Sequence, residues 1–379
     1  MGFAISEVPL WERYRDQFPV SERLTWLNHA AVSPLPRRVA AAMQQFAADA
    51  CEYGSLHYDE WLQAYEDIRV SAARLVGAHR DEMAIVKNTS EGVCTVAGGL
   101  DWHPGDKVVA FREEFPANYF PWRRLEAKGV TLEWLSVTDP LERVREACRG
   151  ARLLALSFVQ YLSGLRADLQ AIGEICRESG CFFFVDAIQG LGAFPLDVET
   201  AHIDAFAADG HKWLLGPEGC GILYVRREWQ DRIEPVEFGW TNAAHFNDYA
   251  SRDMTLRADA GRYECGTLTT VACFGLREAL NLILELDPVR IGPVIQARAD
   301  ELAAGALSKG YELLGDRSAE RGSGIVTVRH PSFDCRAVVR ELKDRGIVAA
   351  PRQGWIRFSP HFYISPETIS RAVDALPRV

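Results

Sequence analysis

At 379 residues, 48% of them hydrophobic and 25% charged, the chain is long enough for two domains or one large α/β domain and has the composition of an ordinary soluble globular protein. A formal net charge of -10 argues against a nucleic-acid or anionic-membrane surface, and no apolar run is long enough to span a bilayer. The nine cysteines are odd in number and form no Cys-x-x-Cys. They read as reduced core residues in a reducing, cytoplasmic compartment, with no disulfide frame and no metal site.

Residues 1–6 fit the loose myristoylation pattern, which is read as chance because no polybasic segment accompanies it. Glu7, Glu12 and Asp16 break up any secretory signal. Beyond them the middle of the chain alternates helical patterns at 36–50, 60–76, 90–99, 116–128, 140–149 and 168–179 with short apolar runs. The runs at 83–87, 107–111, 131–135, 152–158, 181–186, 205–209 and 221–226 read as strands, and a helix at 269–286 follows. Alternation at this spacing implies a mainly parallel sheet of seven strands with helices on both faces, and ligands of such sheets bind at the carboxyl ends of the strands. The last third reads as a smaller α/β unit, with helices at 293–308, 335–345 and 366–375 and strands at 324–329, 347–350 and 355–359. The expected division is a large domain over 28–282 and a small domain built from 1–27 and 283–379.

The most informative residue is Lys212. It lies in Asp-Gly-His-Lys-Trp-Leu-Leu-Gly-Pro-Glu-Gly, just after the strand-like run 205–209, and Gly216, Gly219 and Gly221 follow closely. A lysine at a strand end beside a glycine-rich turn is placed like a site residue. Asp186 ends the apolar run Phe-Phe-Phe-Val-Asp 26 positions earlier. A carboxylate at the end of a strand covered on both faces is costly without a cationic partner. Such a pair suits pyridoxal 5'-phosphate (PLP) chemistry: the lysine forms a Schiff base with the aldehyde, and the acid keeps the pyridine nitrogen protonated.

Other residues fit the same cofactor. Asn88-Thr89-Ser90-Glu91-Gly92 follows a strand and opens a helix, so free backbone N–H groups and the hydroxyls of Thr89 and Ser90 face an anion, while Asn88 and Glu91 also read as a capping box. Phe115, in Glu-Phe-Pro-Ala-Asn, is either a ring that stacks on the pyridine or a core phenylalanine. Gln189 is placed to donate to the phenolic oxygen or to face solvent. His211 can orient phosphate or move protons. Thr267 opens another helix and is an anion site or a cap. Arg357 interrupts an apolar strand and wants a carboxylate or phosphate, from a substrate or from an internal ion pair. Gln160, Tyr161, Arg166, Arg352 and Trp240 are further pocket candidates. His29, His57 and His361 read as structural.

These stretches together resemble the class V aminotransferase family of fold type I PLP enzymes. The likeness runs from Leu-Asn-His-Ala-Ala at 27–31 to Arg-Phe-Ser-Pro-His-Phe-Tyr at 357–363, closest to the isopenicillin N epimerase-like and cysteine desulfurase-like branch. The resemblance implies Lys212 as the Schiff-base lysine, Asp186 as pyridinium partner and Gln189 on the phenolic oxygen. It implies Thr89, Ser90 and His211 at the phosphate, Phe115 on the ring, and Arg357 at the substrate carboxylate; Arg352 is a further substrate-binding candidate. It also implies a homodimer in which Thr267 reaches the partner's phosphate. Two departures stand out. Asp209 replaces the Ser or Thr of cysteine desulfurases. The segment 348–355, where those enzymes carry a nucleophilic cysteine, has none, and Cys335 lies too early. The expected activity is therefore chemistry at Cα or Cβ of a small amino acid (transamination, epimerisation or C–S/C–Se cleavage) without a persulfide. A desulfurase with a displaced cysteine and a non-catalytic protein on the PLP fold are the alternatives.

Overall fold

The computed structural model describes residues 8–378, so the myristoylation-like pattern lies outside the described residues. Seven strands form the central sheet. In spatial order they are Met83–Val86, Gly221–Val225, Ala205–Asp209, Phe182–Asp186, Leu153–Ser157, Lys107–Phe111 and Thr131–Leu135. The last five run parallel, whereas Gly221–Val225 is antiparallel to both neighbours. The sheet is mainly parallel, as the alternation of elements implies.

Both faces of this sheet are covered, which explains the unbroken apolar runs. Phe183, Val185, Phe206 and Ala208 enter one core; Phe182, Phe184, Ala205 and Ala207 enter the other. Side chains alternate across a strand, so one run of five apolar residues feeds two cores. The parallel strands end together at Phe111, Ser157, Asp186 and Asp209, and this edge carries the site.

The expected helix 116–128 is broken into a 3-10 turn at Pro116–Asn118, a short helix at Phe120–Arg124 and a second 3-10 turn at Leu125–Lys128. Pro116 and Pro121 each remove a backbone donor, and Gly129 ends the segment with φ 80°. The helix expected from 293 begins at Pro288, capped by the Asp287 side chain, with Pro293 inside it. The division expected at 282/283 falls inside helix Thr270–Leu286, and the chain turns at Asp287, where φ is 63°.

The expected strand 347–350 is two strands. Ile347–Val348 pairs in parallel with Thr25–Trp26, so the amino-terminal segment joins the carboxyl-terminal unit through backbone bonds. Ala350–Arg352 instead makes a hairpin with Trp355–Phe358, within a four-stranded sheet completed by Val326–Arg329 and Glu312–Leu314. The hairpin turn is Gln353-Gly354, both at positive φ (49° and 83°), the geometry of a two-residue primed turn. Among the described residues, no helix is long and apolar enough to cross a membrane.

Candidate active site

Lys212 is held by what flanks it. Strand Ala205–Asp209 ends, and the loop folds back with Gly216 N–H on the Gly210 carbonyl (2.8 Å) and Leu215 N–H on the Lys212 carbonyl (3.1 Å). Trp213 and Leu214 are buried, so the backbone at Lys212 is anchored while its amine faces a cavity of about 330 Å³. The Ser33 hydroxyl also donates to the Lys212 carbonyl. Asp186, Phe115, Thr89, Ser90, Gln189, Asp209, His211, Arg352 and Arg357 line this same cavity.

Charge in the cavity is arranged around the lysine. Burial lowers the Lys212 amine to about 8; Asp186 opposes the shift, and Arg357 and Arg352 add to it. Asp186 is 2% exposed and accepts one bond, from Ile188 N–H at 3.1 Å. Burial raises its carboxyl to about 6, against that bond and the Lys212 charge. The Lys212 Nζ lies 5.7 Å from the centre of the Phe115 ring. Phe115 is half exposed and meets Tyr161 edge-on at 5.3 Å, so it forms a wall of the cavity and is not a core residue.

At the other end, helix Thr89–Gly99 points its amino terminus into the cavity. Asn88 caps it, accepting from Glu91 N–H at 3.0 Å, while the Glu91 carboxylate takes the N–H of Lys87, so the reciprocal half of a capping box is displaced by one residue. The Thr89 oxygen accepts from Asp209 N–H at 3.0 Å. Asp209 turns its carboxylate to Gly210 N–H (2.7 Å) and to His211 Nδ1 (3.0 Å). The His211 contact is one of proximity: its Nδ1 is buried and makes no aligned hydrogen bond to the carboxylate.

Gln189 is committed on two sides. Its carbonyl accepts from Trp213 Nε1 (2.9 Å), and its amide donates to the Ala30 carbonyl (2.9 Å), which leaves one N–H for a ligand. Of the pocket candidates, Tyr161 and Arg352 line the Lys212 cavity. Gln160 and Arg166 line a neighbouring cavity of about 870 Å³ instead. Trp240 and Thr267 line a separate groove, Thr267 also lines the pocket that holds Cys265, and neither lines the Lys212 cavity. His29 is fully buried between the Ser359 carbonyl (2.7 Å) and the Tyr363 hydroxyl (2.6 Å), and His57 pairs with Asp49 (2.8 Å). His361 is buried, 3.4 Å from the Trp213 carbonyl.

One residue beside the site escaped the sequence reading. Glu114 is buried, accepts from Ser157 N–H at 2.6 Å and from the Ser157 hydroxyl, and burial raises it to about 7, with Ser157 opposing and Asp186 adding to the shift. Its place directly before Phe115 was a signal, but nothing in the sequence marks it as buried. Unfolded, it ionises near 4.5. The native state therefore holds the extra proton between about 4.5 and about 7, and this contribution to stability is lost as pH rises through that window. Glu114→Gln is expected to flatten the fall in stability over this range by up to ~3 kcal/mol, read as urea midpoints at both ends. An unchanged slope would contradict the assignment.

The cavity fits PLP: an amine and a buried carboxylate are in electrostatic contact, an aromatic wall stands near the amine, and a helix amino terminus with two hydroxyl residues faces in. The fold is that of the fold type I PLP-dependent enzymes. The aminotransferase class-V profile matches residues 25–354, and the chain belongs to that family, with PLP as cofactor. It is 29% identical to the uncharacterized aminotransferase YcbU of Bacillus subtilis, over 96% of this chain and 97% of the relative. It is 28% identical to a probable cysteine desulfurase of Pyrococcus abyssi, over 96% of each. The apo structure of a cysteine desulfurase from Thermococcus onnurineus superposes with a TM-score of 0.91, at 25% identity and 98% coverage of both chains.

Proposed function

We propose that Lys212 holds PLP and that the enzyme acts at Cα or Cβ of an amino-acid substrate by transamination, epimerisation or elimination, without a persulfide. The observation that carries this is the shared cavity: Lys212, Asp186, Phe115 and Arg357 line it, and no cysteine does among the described residues. The bound cofactor supplies an electron-accepting ring. Asp186 keeps the ring nitrogen protonated. Gln189 offers its free N–H to the phenolic oxygen. Thr89, Ser90 and the helix amino terminus take the phosphate, with His211 beside them turned toward Asp209. Arg357 holds the substrate carboxylate, which fixes the bond presented to Lys212. With PLP and substrate bound, the Lys212 amine would be placed to take the Cα proton; in the cofactor-free chain burial already lowers it to about 8.

A desulfurase route needs a thiolate within reach of the substrate sulfur. Cys335 is buried at the start of helix Cys335–Asp344; Cys51 and Cys94 are exposed and Cys265 partly so. Cys94 and Cys265 line pockets adjoining the site, not the Lys212 cavity. The test is an amino-acid screen that follows sulfide, pyruvate, keto acid and D-amino acid separately, with Cys51, Cys94 and Cys265 each replaced by alanine. Turnover is expected to stay within about threefold of wild type in all three. A persulfide found by mass spectrometry, with turnover lost in the matching variant, would establish the desulfurase reading. A holoenzyme inert toward every amino acid would favour a non-catalytic role.

We further propose a homodimer in which Thr267 completes the partner's phosphate site. Thr267 does not line the Lys212 cavity of its own chain, and one groove it lines is bordered by exposed Trp240 and Tyr249. Light scattering is expected to give a dimer, and Thr267→Ala to weaken PLP retention. An active monomer would reject this. The division into a large domain and a small domain that includes the amino-terminal segment is also our reading; the pairing of Thr25–Trp26 with Ile347–Val348 supports it.

A further inference from the structure

One wall of the Lys212 cavity carries more positive charge than a single carboxylate neutralises. Arg357 is 2% exposed; its Nη1 donates to the Tyr161 carbonyl at 2.7 Å, and its buried Nε has no partner. Arg352 reaches the same cavity from the other strand of the hairpin and donates to the Pro351 carbonyl at 3.0 Å. The register places both on one face. Arg357 stands opposite Ala350, and Arg352 is two residues along that strand. They are diagonal neighbours, within reach of long side chains. The Gln353-Gly354 turn locks this register, and Gln353 is further tied to the Tyr161 hydroxyl at 2.7 Å.

The two guanidiniums repel each other. Burial first, then the Arg352 charge, lowers Arg357 to about 10. Three carboxylates line the cavity, and none meets either arginine at ion-pair distance among the described residues. Asp186 accepts from Ile188 N–H, Asp209 is engaged by Gly210 and His211, and Glu218 is exposed. A monocarboxylic amino acid offers this wall one negative charge against two positive ones. Leaving a buried guanidinium without an anion is costly.

Resting on the reading above, we propose that the substrate is an amino acid with a second acidic group on its side chain. Arg357 takes the α-carboxylate at the base of the cavity, and Arg352, half-buried, takes the distal acid. Arg352 is then a specificity-determining residue, distinct in effect from Arg357, because it discriminates a side-chain acid from its amide.

The experiment compares acid and amide pairs of matched shape, aspartate with asparagine and glutamate with glutamine, and adds succinate against its monoamide as non-reacting probes. Turnover gives kcat/KM, and titration of the holoenzyme's visible spectrum gives Kd without turnover. In wild type the acid of at least one pair is expected to exceed its amide by ~10- to 100-fold, as a charge-assisted contact would give. In Arg352→Gln that preference should collapse to within about threefold. Arg357→Gln should weaken acid and amide together. Acid and amide equal in wild type, or Arg352→Gln weakening both equally, would overturn the proposal; the second result would mean that one carboxylate bridges the two arginines. Succinate binding no tighter than its monoamide would also count against it. Failure of the underlying PLP assignment is read separately, as the absence of a borohydride-fixed label on Lys212.

Discussion

Lys212→Ala is expected to abolish covalent cofactor attachment and to lower turnover on the order of 1,000-fold or more, because one amine serves both as the attachment point and as the base at Cα. Borohydride reduction of the wild-type holoenzyme should label the peptide containing Lys212, and the variant should carry no label. The fold should survive. The amine lies beside Arg352 and Arg357, so its removal relieves a desolvation cost and like-charge repulsion, which together outweigh the lost attraction to Asp186 and Asp209. The melting temperature of the cofactor-free variant should therefore equal or exceed that of the cofactor-free wild type. A label on another lysine, or turnover within about tenfold of wild type, would contradict the assignment.

Asp186→Asn should keep the attachment to Lys212 but lower kcat/KM by about 100-fold or more. Asparagine preserves the shape and can still accept from Ile188 N–H, but it cannot supply the charge that holds the ring nitrogen protonated. Each unit by which the nitrogen's pKa falls is worth roughly 1.4 kcal/mol, and a buried pair commonly loses more than one unit. Without cofactor the carboxyl sits at about 6 because burial penalises its ionised form. The cofactor-free protein should thus be stabilised in wild type by a proton on Asp186 below about that pH. This component is lost as pH rises through about 6, and the Asn variant should lack it. Activity within about threefold of wild type would remove Asp186 from the mechanism.

Composition and local pattern were enough to place much of this protein. Strands Lys107–Phe111 and Ala205–Asp209 have the bounds their apolar runs imply, because a strand covered on both faces is apolar through most of its length; the edge strand Thr131–Leu135 also has its expected bounds but is only partly buried. Lys212 and Asp186 stood out for a related reason: a charged residue at or just past the end of such a run is not accounted for by packing, and the fold brings both to one cavity. The amino terminus at Thr89 was legible from its cap, since Asn88 announces a helix start locally.

What required the folded chain was everything that depends on distant partners. Cys335 follows a local helix signal, yet its burial is set by the elements packed over it. The antiparallel course of Gly221–Val225 depends on which neighbours it finds, since an apolar run has no direction. Glu114 became a raised carboxyl only because the folded chain buries it beside Asp186; Ser157, 43 residues away, bonds it and opposes the shift. Asp209, a departure when taken alone, is explained by the loop that turns it to His211. Arg352 and Arg357 share a face because a two-residue turn between them fixes the register, and burial leaves the Arg357 Nε without a partner. Hydrophobic periodicity and caps act over one turn or one strand and are written locally. Burial, charge pairing and strand direction arise between segments far apart in the chain, and only the tertiary structure decides them.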